Sequence, residues 1–98
     1  MNQFMVEISL PAYMSNELIA IIPQQRKLVN KLFQQGIITN YSLALDRSKI
    51  WVVFNCANMF EVGEYLNKFP IRSHVDFFVQ ELAFSEQIDF SITTMSLN

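Results

Sequence analysis

The sequence predicts an α+β domain of order βαββαβ, and three observations carry that reading. Residues 2–10 alternate with period two, with Phe4, Val6, Ile8 and Leu10 against Met5, Glu7 and Ser9, as a half-buried strand does. Two later stretches, opening near Ser15 and Asn58, place apolar residues at helical spacing instead. Between and after them lie Ile50-Trp51-Val52-Val53-Phe54 and Val75-Asp76-Phe77-Phe78-Val79, short runs that are apolar on both faces. Four strands and two helices in this order form the ferredoxin-like arrangement, a four-stranded antiparallel sheet with both helices on one face.

Each element has its own punctuation. Pro11 ends the first strand because proline cannot donate to a ladder. Ser15 or Asn16 then supplies an N-cap, and Glu17 sits where the helix dipole favours an acid. Leu18, Ile22, Val29, Leu32 and Phe33 form the apolar stripe, widened by Ile19, Ile21 and Leu28, with Lys27, Asn30, Lys31, Gln34 and Gln35 on the wet side. Pro23 either kinks this helix or divides it, and Gly36 stops it. A second strand is expected over residues 37–45, a four-residue turn at Asp46-Arg47-Ser48-Lys49, and a third strand over 50–56. Asn58 with Glu61 resembles a capping box opening a helix that buries Met59, Val62, Leu66 and Phe69. Pro70 prevents its continuation, and residues 73–83 read as the fourth strand. The domain therefore spans residues 1–84, with 85–98 a C-terminal extension that packs on a partner or frays.

With both helices on one face, the other face of the sheet carries Trp51, Val53, Phe78, Met5 and Leu82 and has no intrachain cover. Six or so such side chains gain about 1.5–3 kcal/mol each on full burial. That is comparable with the ~4–15 kcal/mol that association costs. A homodimer or higher homo-oligomer is expected, two sheets packing face to face as a dimeric α+β barrel.

Composition narrows the function classes. Hydrophobic residues make up 51% of the 98 and charged residues only 16%, which describes a core-rich globular chain. A net charge of −2 and scattered basic residues give no nucleic-acid footprint. One cysteine, Cys56, and one histidine cannot build the usual metal clusters, and two glycines cannot build a phosphate-cradling loop. No cofactor or metal is expected. No apolar run approaches the ~20 residues that span a bilayer. The N-terminus has no basic residue before Arg26, so a cytoplasmic location is the expectation.

Leu10-Pro11 after the first strand, a long helix ending at Gly36, and Phe69-Pro70-Ile71 leading into Asp76 together resemble the muconolactone delta-isomerase family over residues 4–82. The resemblance implies the dimeric barrel and, for the founding enzymes, cofactor-free migration of a double bond in a small unsaturated lactone. This chain departs from the family pattern just before Asp76. Arg72, Ser73 and His74 stand where the lactone enzymes have aromatics and a second proline, which changes the polarity of a pocket there.

Six residues are candidates for chemistry. His74 and Asp76, two apart on the predicted fourth strand, share a face with Phe78 and could serve as acid and base beside apolar walls. A strand-mouth histidine bonded to a partner, with Asp76 capping backbone amides, is the structural alternative. Glu7, the one charge in the first strand, is a third proton-handling candidate, or else an edge residue paired with a cation. Arg72 suits the carboxylate of an organic acid. Tyr41 and Trp51 offer a donor and a flat wall for a ring, or simply core and interface. Two functions follow: a cofactor-free isomerase acting on a small unsaturated lactone or organic acid, and a non-catalytic ligand-binding or assembly protein of the same fold.

Overall fold

Period-two burial in the first strand sets the frame of the molecule. In a computed structural model, which describes residues 2–84, β1 (Asn2–Ser9) drives Phe4, Val6 and Ile8 fully into the core. It lies inside the sheet, antiparallel to both β3 (Lys49–Cys56) and β4 (Asp76–Leu82), and β2 (Ile38–Leu43) adds to the outside of β3. The strand order β2-β3-β1-β4 is that of the ferredoxin-like fold. Helices α1 (Asn16–Gln34) and α2 (Met59–Leu66) both cover the face bearing Phe4, Val6, Ile8, Val52 and Phe54.

The helix ends follow from the sequence. Ser15 Oγ accepts from the Leu18 N–H at 3.1 Å, and Asn58 Oδ1 from the Glu61 N–H at 2.9 Å, so both caps satisfy amides the helices cannot. Gly36, at φ 73°, closes α1: its N–H reaches Phe33 O and the Ile37 N–H reaches Leu32 O, which together make a Schellman motif. Pro23 stands inside one continuous helix and does not divide it.

Beyond shifts of one residue at strand ends, three expectations are corrected. Strand β2 stops at Leu43, because Ala44 and Leu45 join the hairpin that closes with Arg47 N–H to Ala44 O at 2.9 Å. Met59 is 49% exposed, since its position at the first turn of α2 precedes the buried Val62–Leu66 stripe. Strand β4 begins at Asp76, not at residue 73. Arg72 N–H to Phe69 O and His74 N–H to Ile71 O wind residues 72–74 into a 3-10 turn, so the chain is not yet extended there. The extension at 85–98 lies outside the described residues.

Register fixes what shares a face. Tyr41, Val52, Val6 and Val79 form one row beneath the helices. On the opposite, open face the corresponding row is Ser42, Trp51, Glu7 and Phe78, and the next is Asn40, Val53, Met5 and Gln80. An irregularity between Ile38 and Asn40 lets Ile38 and Tyr41 both turn toward the core although they are an odd number of residues apart.

Candidate functional site

Between one flank of α1 and the β2–β3 end lies an open-sided cavity of about 1000 Å3. Its walls include Leu18, Ile22 and Val29 from α1, Tyr41 and Ile50 from the sheet, and the loop after β1. Such a volume matches the upper range of small-molecule sites. The hairpin forms part of the mouth, where Arg26, Asp46 and Arg47 stand exposed.

One polar side chain interrupts the apolar stripe of α1. Gln25 occupies the step between Ile22 and Val29 and is only 4% exposed. Its Oε1 accepts from the Ile71 N–H at 3.4 Å, whereas Nε2 is buried without a hydrogen-bond partner. The Tyr41 hydroxyl is its polar neighbour. Burial pushes the Tyr41 phenol up, an effect partly offset by interaction with the Gln25 side chain and by the positive charge of Arg26. Tyr41 and Gln25 thus form the polar pair at the inner edge of the cavity.

The carboxylate at the mouth is a poor base. Ser48 donates to Asp46 Oδ1 from its hydroxyl at 2.6 Å and from its backbone N–H at 3.0 Å, which holds the Asp46 carboxyl below its ordinary range. Cys56 is fully buried in the core and takes no part in the cavity lining, and burial pushes its thiol up to about 11.

The six residues singled out from the sequence divide among three places. Tyr41 lines the cavity. Glu7, Trp51 and Asp76 share the open face: Glu7 pairs with Trp51, and Asp76 lies one residue pair along, opposite Ser9. There Glu7 is held twice, with Oε1 accepting from Trp51 Nε1 at 3.3 Å and Oε2 facing Lys49 Nζ at 3.4 Å. Arg72 and His74 sit in the 3-10 turn, so the strand alternation that was to align His74 with Asp76 does not reach His74. Gln25 escaped the sequence reading. Its signal was the vacancy in the stripe 18, 22, 29, 32, where a helix face needs an inward residue near 25.

No protein-family model matches the chain, and no curated protein matches it. Among the described residues no helix is long and apolar enough to cross a membrane. Comparison with solved structures does find a match. Muconolactone isomerase, from a crystal structure at 3.3 Å resolution, superposes with a TM-score of 0.71 over 89% of this chain and 97% of that one, at 18% identity. The strand order, the paired helices on one face and that superposition show that this chain has the muconolactone isomerase-like fold.

Proposed function

We propose that the chain is a small-ligand-binding protein of muconolactone isomerase-like fold, acting as a homodimer joined through the open sheet face. The observation that carries the binding half is the cavity under α1, apolar in its walls with buried polar chemistry confined to Gln25 and Tyr41. A largely apolar molecule gains from burial there, and few polar groups suffice to orient it. The dimer half rests on Phe78, 62% exposed beside half-buried Trp51, Met5 and Leu82 on a face that no helix among the described residues covers. Such a contiguous patch is more than scattered surface apolarity.

Binding is favoured over isomerisation by the chemistry of the cavity. Moving a double bond needs a base that takes a proton and an acid that returns it. Gln25 does not titrate, Tyr41 stays protonated at neutral pH, and Asp46 is held ionised and weakly basic. A second reading, a cofactor-free isomerase of a small unsaturated lactone or organic acid, draws support from the open face. Glu7 is a fixed carboxylate there, with Trp51 as a wall and Asp76 nearby. His74 and Arg72 would complete that site only as contributions from the turn before β4.

Protein-observed NMR with small unsaturated and aromatic carbonyl compounds and acids separates the two. Binding under α1 shifts the Val29 and Ile50 methyls and is blocked by the cavity-filling Ile22→Trp. Shifts confined to Met5 and Val53, with turnover lost in Glu7→Gln, would replace the binding reading by the isomerase.

A further inference from the structure

We propose that residues 85–98 of a second copy of this chain lie along the outer edge of β2, with Ile88, Phe90 and Ile92 closing the open side of the cavity beside α1. The proposal rests on the dimer half of the function proposed above and makes the cavity a site that two subunits build.

The seat is what one chain leaves uncovered. The α1 wall of the cavity runs from Leu18 to Phe33, about 22 Å of helix. Strand β2 packs against α1 at the outside of the sheet. An extended segment of about six or seven residues has the same length. Phe33 and Leu43, one on each lip, are 40% and 47% exposed. Edge strands ordinarily carry a charge or a proline that discourages further pairing. The other edge strand, β4, has Asp76 and Glu81, whereas β2 has no charged residue and no proline. Its irregularity between Ile38 and Asn40 leaves Asn40 to Leu43 in regular register.

Residues 85–98 have the matching pattern. They lie outside the described residues, and their sequence sets Ile88, Phe90 and Ile92 at alternate positions, with Asp89, Ser91 and Thr93 between and after them. An extended chain of that pattern turns three apolar side chains to one side. An added strand is held by main-chain bonds to a sheet edge and by such side chains in the adjoining pocket. Charge agrees as well. The segment carries Glu86 and Asp89 and no basic residue. The mouth of the cavity carries Arg26 and Arg47, and its acid, Asp46, is already engaged by Ser48.

The chain's own segment is poorly placed for this seat. Strand β4 lies at the far edge, so the position outside β2 is four strand spacings away, about 19 Å. A fully extended chain covers about 20–22 Å from Leu82 to Ile88. It would arrive only by stretching taut across the open face, where the second subunit packs. In a barrel closed from two sheets the edges of one adjoin those of the other, so a second copy's segment reaches β2 with chain to spare.

The test uses the full chain in a sample mixing isotope-labelled and unlabelled subunits. Isotope-filtered NOEs are expected from the Ile88 and Ile92 methyls of one subunit to Phe33, Tyr41 and Leu43 of the other. Phe90→Asp should raise the dimer dissociation constant at least about tenfold, because burial of the ring is lost. Contacts found only within one subunit, contacts to neither α1 nor β2, or an unchanged dissociation constant in Phe90→Asp overturns the proposal and leaves the dimer and the cavity standing. A natural chain that sediments as a monomer at micromolar concentration overturns the dimer reading and the proposal with it.

Discussion

The Ile71 backbone N–H donates to the Gln25 side-chain oxygen at 3.4 Å, tying the turn before β4 to the middle of α1. These residues are far apart in sequence, and the bond satisfies the oxygen of a side-chain amide that is 4% exposed.

Gln25→Glu should make stability depend on pH. The carboxylate still accepts from Ile71, but burial at a 4% exposed site disfavours its charge and raises its pKa in the fold above the ordinary value of about 4.3. A raised folded-state value means full stability below the unfolded pKa and a growing loss above it. The variant should match the natural protein near pH 4. It should then lose about 1.4 kcal/mol for each further pH unit until its folded-state pKa is passed. Urea titrations at several pH values measure this. A pH-independent difference would place the side chain in water.

Opposite signs are expected at the two glycines. Gly36 lies at φ 73°, where a side chain is strained although nothing stands within 4 Å of the Cβ it would add. Gly36→Ala should therefore cost about 1–2 kcal/mol through backbone conformation alone. Gly63, within α2, likewise has open space at its Cβ and no positive φ. Gly63→Ala should stabilise by about 0.8–1 kcal/mol through helix propensity. Thermal melts of the two single variants decide both.

Pro23 removes a donor from the middle of α1, directly after Ile22 on the cavity wall. The carbonyl four residues back, on Ile19, loses its helical partner, and Ile19 is 51% exposed so that water can serve it. Pro23→Ala restores the bond and should stabilise the fold by up to about 3 kcal/mol, less the entropy it returns to the unfolded chain. A higher melting temperature is the expected outcome, and unchanged stability would show that the helix already tolerates the ring.

Local features were legible in the sequence because they depend on few residues. The Ser15 and Asn58 caps, the stop at Gly36 and the period of β1 each follow from contacts within about one turn or one strand. The division of β3 between two faces was legible too, since Trp51 and Val53 cannot share the helix side with Val52 and Phe54, although Val53 is itself buried at 4% exposure. The cavity was harder to see. Its polar centre is an absence in a stripe, and its partner Ile71 comes from a distant turn. Tyr41 and Trp51 looked like members of one site, but the irregularity at Thr39 changes the parity of β2 and turns Tyr41 to the helix side. His74 was assigned to β4 by extending an alternation backward across residues that the Phe69 and Ile71 carbonyls wind into a 3-10 turn. Register shifts and turns of that kind depend on long-range pairing, which no window of sequence contains.

Phe78→Glu tests the open face directly. Phe78 is 62% exposed on an edge strand and lies across from Glu7, which Lys49 and Trp51 already engage. A new carboxylate there sits beside an existing negative charge. Within one subunit the cost is small, because Phe78 contributes little to the core. Between two packed sheets it would meet apolar surface and its own copy, and a buried unpaired charge costs several kcal/mol. Sedimentation velocity should therefore show the natural chain as a dimer and Phe78→Glu as a folded monomer, with circular dichroism unchanged. A natural chain that sediments as a monomer at micromolar concentration, with Trp51 emission characteristic of water, would remove the dimer from the proposed function and leave the cavity under α1 standing alone.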